Sequence, residues 1–415
     1  MPDTDGLNAN ANGLESGEEI NRPRSLAAVQ SDSAGSISQD SRSTTSTTLG
    51  RVREMSTIVL VGDETGLLKL VNLDYGVCKE ASLTGNRNVV KMYGGEQSRA
   101  VGIRSIDEVF SKQVFTVLRC NGNIESWKLS DDGNDITLCD TLEVGIDEPV
   151  KCASLPDKCI EVCFNAKGQI VVLNSAVQTS DAFKLRICGE FTVKGGSGLQ
   201  ASAINYQEDS IHLALGGKEV DLKVYDVETQ QAIFEARNVP HDKLSLRVPI
   251  WITAISFLHG NSSRLVTGTA YRQVRVYDTK ATDRRPHTSF DMHDEFRVVS
   301  ICPAGDTGLY VGDTSGGLHL WDLRMQRRVN TLHGFAGSVR GLCFSEEGGA
   351  LAAVGLDRYL RVFDTRRNKL AAAAYLKNRL VACAIVSSMG SGGDGGRDYD
   401  CDGLIEYDMS EDEED

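Results

Sequence analysis

Side chains able to do chemistry are few in this sequence, and they are scattered. Asp226, Asp278, Asp322 and Asp364 recur at similar places along the chain, and paired carboxylates are a common means of general acid–base catalysis. Each closes an alternating segment, however, where an aspartate caps a turn through the neighbouring backbone. The histidines at 212, 241, 259, 287, 293, 319 and 333 show no HExxH or HxxxH spacing of a metal-binding helix. His319 lies inside an alternating run and reads as an ordinary strand histidine. Cys152, Cys159 and Cys163 are close together, but no second pair or histidines stand at zinc-site spacing. They read as buried thiols, which behave as small hydrophobes. Gly216-Gly217-Lys218-Glu219 lacks the leading glycine and the hydroxyl of a phosphate loop, and Gly195-Gly196-Ser197-Gly198 is no nucleophile elbow. The chain therefore reads as non-enzymatic, with no catalytic, cofactor or metal site expected.

What remains is the framework. The 415 residues are 40% hydrophobic and 25% charged, enough apolar material for a sizeable core and against wholesale disorder. No run approaches the roughly 20 apolar residues that span a bilayer, so no membrane association is expected. The opening Met1–Asn10 is polar and acidic, unlike a secretory signal. Eleven cysteines without framework spacing fit a reducing compartment. Of the net charge of −14, residues 394–415 contribute −10 and residues 1–55 contribute −3, so the body is nearly neutral. Residues 1–55, Ser/Thr-rich, and residues 389–415, a Gly-rich linker and acidic tail, read as disordered. Ser410, ahead of an acidic run, is a candidate acidophilic-kinase site.

Between the tails, at 56–388, runs a repeat. Seven alternating segments end in a large residue, with key positions at 71, 127, 186, 225, 277, 321 and 363 and spacings of 56, 59, 39, 52, 44 and 42. Gly62, Gly216, Gly268 and Gly312 precede their key residue by nine positions and Gly355 by eight, each after a short apolar run. The unit is strand, tight turn, alternating strand. Seven such units predict an all-β, seven-bladed β-propeller. An open ring would expose a sheet edge, so the apolar run Arg379–Ser387 is expected to return as the innermost strand of the first blade.

In that arrangement one face carries the turns between second and third strands together with the inter-blade loops. Tyr271, Arg272, Arg340, Arg358 and Tyr359 are expected there, as residue types favoured in binding hot spots. A second basic group, Arg284, Arg285, Arg324, Arg327, Arg328, Arg366 and Arg367, follows the third strands of the last three units. It is expected on the opposite face, where it would suit RNA phosphate or an acidic protein.

The dipeptide Trp321-Asp322 and the in-phase glycines resemble WD-repeat proteins. Tyr225, Tyr277 and Phe363 stand where that family has Trp, and Phe335 stands where the last blade would have His, so its side-chain hydrogen-bond network is expected to be altered. Thr269–Asp278 with Arg284-Arg285-Pro286, Gly337–Leu342 and Gly355–Arg361 resemble a narrower group, the WD repeat-containing protein seventy-four and Nsa-one family of nucleolar assembly factors. The resemblance covers residues 57–386, and is strongest from 249 onward. It implies a non-catalytic scaffold of large (pre-60S) ribosomal-subunit assembly and rRNA processing in the nucleolus. The implied partners are pre-ribosomal proteins and precursor rRNA, a hexameric AAA ATPase that releases the protein, and the nuclear exosome with its helicase. The implied state is a monomer within a large complex. The acidic C-terminal residues depart from the basic tail of that family. The alternative function is a generic WD-repeat adaptor, such as a ubiquitin-ligase substrate receptor or a signalling scaffold.

Overall fold

The computed structural model describes residues 55–75, 89–94, 101–110, 113–130, 132–178, 182–193, 196–241, 243–258, 263–292, 295–346 and 348–389. Among them lie twenty-eight strands and no α-helix. The expected tails, with Ser410, fall outside the described residues apart from Met55 and Met389, which end the first and last strands.

The strands form seven four-stranded antiparallel sheets. Blade 1 holds β1 (Met55–Asp63), β2 (Leu68–Tyr75) and β3 (Val89–Tyr93). Blade 2 holds β4 (Ile103–Phe110), β5 (Val114–Arg119), β6 (Asn123–Leu129) and β7 (Ile136–Glu143). Blade 3 holds β8 (Pro149–Leu155), β9 (Ile160–Asn165), β10 (Gln169–Gln178) and β11 (Ala182–Thr192). Blade 4 holds β12 (Leu199–Gln207), β13 (Ser210–Gly217), β14 (Val220–Asp226) and β15 (Ala232–Glu235). Blade 5 holds β16 (Ile252–Phe257), β17 (Arg264–Thr269), β18 (Gln273–Asp278) and β19 (Thr288–Asp291). Blade 6 holds β20 (Val298–Ala304), β21 (Gly308–Asp313), β22 (Leu318–Asp322) and β23 (Arg327–Leu332). Blade 7 holds β24 (Val339–Ser345), β25 (Ala350–Gly355), β26 (Tyr359–Asp364) and β27 (Lys369–Tyr375). The last strand, β28 (Leu380–Met389), pairs with β1 and completes blade 1 from the inside. The innermost strands touch in the order β28, β4, β8, β12, β16, β20, β24 and back to β28, closing the ring as expected.

Stacked blades explain the sequence pattern. Alternate residues of a strand point to opposite faces, and here both faces are covered. Ile58 and Leu60 of β1 pack against blade 2, while Val59 and Val61 pack against blade 7. The core is thus seven apolar clusters, one between each pair of neighbouring blades. The key residue of each blade faces the preceding one, often onto an aromatic of its outer strand. Trp127 meets Tyr93, Tyr277 meets Phe234 and Trp321 stacks on Phe290, with ring centroids 6.2, 6.5 and 5.1 Å apart.

One repeat assignment is corrected. Phe183–Ile187 belongs to the fourth strand of blade 3, and Arg186 is exposed. The third strand is β10, whose key residue by register is the fully buried Leu173. Its run Ile170-Val171-Val172-Leu173 is continuously apolar because both faces are buried, while β11 alternates because it lies outermost. The in-phase glycines are also not turn residues. They lie within strands, beside shifts in the pairing register, and under the next blade: a Cβ on Gly62, Gly216 or Gly268 would come within 2.9, 2.8 or 2.5 Å of Ile103, Ile252 or Val298.

Two residues before the key position, five blades bury a charged or ionisable side chain: Lys69, Glu125, Arg275, His319 and Arg361. Lys69 pairs with Asp63 at 2.8 Å, Glu125 with Arg119 at 2.5 Å and Arg361 with Asp357 at 2.5 Å, while His319 stands 3.6 Å from Asp313. Arg275 instead binds Gln273 and Asn238 through neutral oxygens. In blade 7, Phe335 packs against Phe363, and the Arg361 guanidinium lies 4.3 Å from the Phe335 ring. An Arg–Asp pair with a cation–π contact thus occupies the corner where a histidine was expected. Even in blade 6 the network is altered, since the buried Trp321 indole N–H has no hydrogen-bond partner.

These corners set two expectations. Asp63→Ala leaves Lys69 buried and unpaired, and is expected to lower the unfolding free energy by about 3–5 kcal/mol. In urea titrations, Asp63→Leu with Lys69→Met should recover most of that loss; failure of the pair to recover would contradict this account. Burial alone would raise the Asp63 and Asp313 carboxyls. Lys69, Asn378 and Thr65 outweigh it at Asp63, as do His319, Ser315 and Gly317 at Asp313, so both lie below their ordinary 3.8. Such groups stabilise the fold fully above the unfolded value, and the contribution is lost as pH falls through the folded value. Asp313→Asn should therefore be less stable at pH 7, with a flatter decline below pH 4 in melting temperature against pH.

Candidate interaction surfaces

Antiparallel order places the turns between second and third strands, and the loops between blades, on one end of the propeller, here called the upper face. The other turns lie on the lower face. Upper-face turns share a backbone demand. Five residues before the key position the chain is left-handed at Gly66, Gly122, Gly168 and Gly316, a conformation that costs glycine nothing. Blades 5 and 7 put Arg272 and Arg358 there instead, at φ +67° and +70°. A side chain with a Cβ pays roughly 1–2 kcal/mol for that conformation, and such strain concentrates at functional sites.

Tyr271 and Arg272 sit in the β17–β18 turn, Arg358 in the β25–β26 turn, Tyr359 begins β26 and Arg340 is the second residue of β24. All five lie at the upper end, in separate groups. Arg358 reaches the Tyr375 hydroxyl at 3.4 Å, and the Tyr359 and Tyr375 rings lie 5.1 Å apart. Arg340 lines the mouth of the central channel and stands 3.5 Å from Glu64 of blade 1. Tyr271, 40% exposed, lies 6.4 Å from Trp251.

Trp251 is the residue that the repeat pattern missed. Its indole N–H donates to the Gln200 side-chain oxygen at 2.6 Å, and Lys218 and Arg297 stand 5.1 and 5.4 Å from its ring. Phe296, beside Arg297, is exposed. The patch collects aromatic and basic groups from blades 4, 5 and 6, the combination that favours stacking and anion contact. The one local signal was a Trp at the start of an inner strand, off the key position.

The central channel encloses about 300 Å³ among the seven innermost strands. Burial pushes the Asp107 carboxyl, on its wall, up to about 6 against the opposing pull of Lys151 and Ser105. Burial, with Asp107 adding repulsion, carries the neighbouring Glu161 to about 7. Glu161 accepts a hydrogen bond from the Ser175 hydroxyl at 3.0 Å. Cys152 and Cys163 face each other across β8 and β9, sulfurs 2.7 Å apart, and burial pushes both thiols up. Cys159 stands apart from them in a left-handed turn. His319 is held by the Thr331 hydroxyl at 3.1 Å and by Asp313.

On the lower face, Arg324 lies in the β22–β23 turn, Arg327 and Arg328 begin β23, and Arg366 and Arg367 lie in the β26–β27 turn. Arg284 and Arg285 are drawn to the flank of blade 4, where the Arg284 carbonyl accepts the Arg237 N–H. Asp226, Asp278, Asp322 and Asp364 end the third strands, each accepting a backbone N–H two residues on.

The sequence model of the WD domain, G-beta repeat family matches residues 326–364, from the outer strand of blade 6 through the third strand of blade 7. WD repeat-containing protein 74 of Homo sapiens is 41% identical over 188 residues, 44% of this chain and 48% of that protein. Ribosome biogenesis protein nsa1 of Schizosaccharomyces pombe is 28% identical over 363 residues, covering 77% of this chain and 86% of the fungal one. The chain spans about half the length of the mammalian relatives it matches. Taken with the closed seven-bladed ring, these likenesses support the assignment of the chain to the WD repeat-containing protein 74 and Nsa1 family.

Proposed function

We propose that this protein is a non-catalytic scaffold of ribosome biogenesis. It acts on precursors of the large (pre-60S) subunit in the nucleolus during rRNA processing. The observation that carries this reading is the likeness to ribosome biogenesis protein nsa1, which extends over 77% of this chain. A ring closed by its own C-terminal strand suits the task, because loops from seven blades are held in fixed relation on a stiff frame. In this reading the upper face engages the precursor particle, its proteins and its RNA, through the Trp251–Tyr271 patch and the two strained arginines. The lower face is left for the remodelling machinery: a hexameric AAA ATPase that releases the protein, and the nuclear exosome with its helicase.

Affinity purification of the tagged native protein, with mass spectrometry and RNA sequencing, tests this directly. Large-subunit proteins, precursor rRNA and an AAA ATPase are expected. Cullin or signalling components without rRNA would replace the reading with that of a general adaptor. Arg340→Glu with Arg358→Glu should weaken particle capture with a cooperative melt retained. The strained turns give a sharper expectation. Arg272→Gly and Arg358→Gly should each leave stability unchanged or raise it by up to about 1 kcal/mol, while capture of the particle falls. Capture that survives both changes would remove these arginines from the interface.

A further inference from the structure

The loop that closes the ring carries a strained cation. Lys377 is the middle residue of a three-residue turn: the Asn378 N–H donates to the Leu376 carbonyl at 2.8 Å, and Lys377 itself sits at φ +68°. A γ-turn of that hand is rare and strained. Both of its neighbours are fixed. The Leu376 carbonyl also accepts from Lys69, while the Asn378 amide donates to Asp63 and to the Thr65 hydroxyl, 2.8 and 3.1 Å away. An exposed lysine at the upper face thus occupies a backbone conformation that glycine would adopt without strain. Strain retained in this way points to function.

Other cations gather beside it. The Leu376 N–H donates to the Arg358 carbonyl at 2.9 Å, which sets the two left-handed cations on adjoining turns. Glu64, in the first turn of blade 1, stands 3.5 Å from Arg340 and 3.7 Å from Arg379, so one carboxylate faces two guanidinium groups. Arg340 and Arg104 line the channel mouth on either side of β28, each at a register shift in its strand, the kind of irregularity that re-aims a side chain. The carboxylates of Asp63 and Asp357 are buried against Lys69 and Arg361, and Asp107, deeper in the channel, faces Lys151. Among the described residues, the exposed cations Arg104, Arg340, Arg358, Lys377 and Arg379 therefore share this seam with one exposed carboxylate, Glu64. The loop between blades 2 and 3, by contrast, holds Asp147 and Glu148 and no cation. An aromatic platform adjoins the cations. Tyr375, 51% exposed at the upper end of β27, packs on Tyr359 across the strand pair. Tyr359 is already engaged by the Arg361 guanidinium at 4.9 Å, which leaves Tyr375 as the open ring. Cations beside an open ring fit a single nucleic-acid strand: guanidinium and ammonium meet phosphate oxygens, and the ring stacks on an unpaired base. An acidic peptide would use the charges and leave the ring idle. We propose that the seam between blades 7 and 1 binds single-stranded RNA, with Lys377, Arg379 and Arg340 on its phosphates and Tyr375 under a base. That the strand is RNA rests on the ribosome-biogenesis reading; the site itself rests on the geometry.

The test uses the purified full chain and a labelled oligouridylate, which has no structure of its own, with fluorescence anisotropy read over a range of salt. Binding is expected, with log Kd rising against log salt at a slope of about 2 to 3, as three or four phosphate contacts give. Lys377→Gly should weaken binding about threefold and lower the slope by about 0.7, with a melting temperature unchanged or higher. Tyr375→Ala should weaken it about tenfold and leave the slope as it was. Should Lys377→Gly melt early, Arg379→Gln, at an exposed side chain, takes its place with the same loss of slope. Absence of oligouridylate binding, binding indifferent to these changes, or equal binding of polyglutamate or of an RNA hairpin would each overturn the proposal. The assay contains no ribosomal particle. Its failure leaves particle capture by other surfaces intact, and failure of the ribosome-biogenesis reading leaves the oligonucleotide result standing.

Discussion

The buried ion pair of Asp63 and Lys69 holds the point on which the ring depends. A propeller is a sheet stack that must be closed, and here closure rests on a strand 325 residues after β1 begins. Asp63 ends β1 and is fully buried, and its carboxylate accepts from Lys69 and from the Asn378 amide, which lies just ahead of β28. Lys69 in turn donates to the Leu376 carbonyl of the last inter-blade loop at 2.7 Å. Charges removed from water are costly unless paired and fully hydrogen-bonded. The first turn and the last loop satisfy them only together, so the polar seam specifies which strand closes blade 1, while the apolar residues of β28 supply area.

Similar logic recurs around the ring with different residues. Arg119 of blade 2 reaches the Gly66 carbonyl of blade 1 at 3.0 Å, and Arg275 reaches Asn238 in the loop leaving blade 4 at 3.1 Å. In blades 1, 2, 5 and 7 the buried polar corner also bonds the loop arriving from the blade before, at Leu376, Val101, Asn238 and Ala336. The usual side-chain identities are degenerate here, yet the corners are occupied, because the constraint is the need to satisfy a buried turn rather than a particular residue. Aromatic contacts between key residues and preceding outer strands add the apolar half of the same inter-blade coupling.

A frame coupled in this way can carry strain and display. Left-handed arginines on the upper face and an aromatic ring between cations both need rigid neighbours to keep their geometry. The two faces also differ in kind: the upper combines the loops that join blades with the turns between second and third strands, whereas the lower carries only hairpin turns within blades. The last described strand, β28, ends on the lower one at Met389.

Much of the architecture was legible in the residues. Period-two runs, the glycines under each next blade and a regular spacing identify a propeller, because each blade repeats one packing problem and solves it with similar residues. The closing strand was legible because an apolar run beyond the seventh blade has few other places to go. Blade 3 was misread for a physical reason: β10, buried on both faces, loses the alternation that the exposed β11 keeps. The candidate surfaces were legible only in part. Turn arginines could be placed on a face by topology, but their strain emerged only when their backbone was set beside Gly66, Gly122, Gly168 and Gly316. The Trp251 patch and the seam between blades 7 and 1 draw on residues far apart in the chain. Local periodicity determines which side of a strand is buried, and so the sequence by itself determined the fold class. Which loops become neighbours around a closed ring is decided by the ring, and so the sites belong to the tertiary structure.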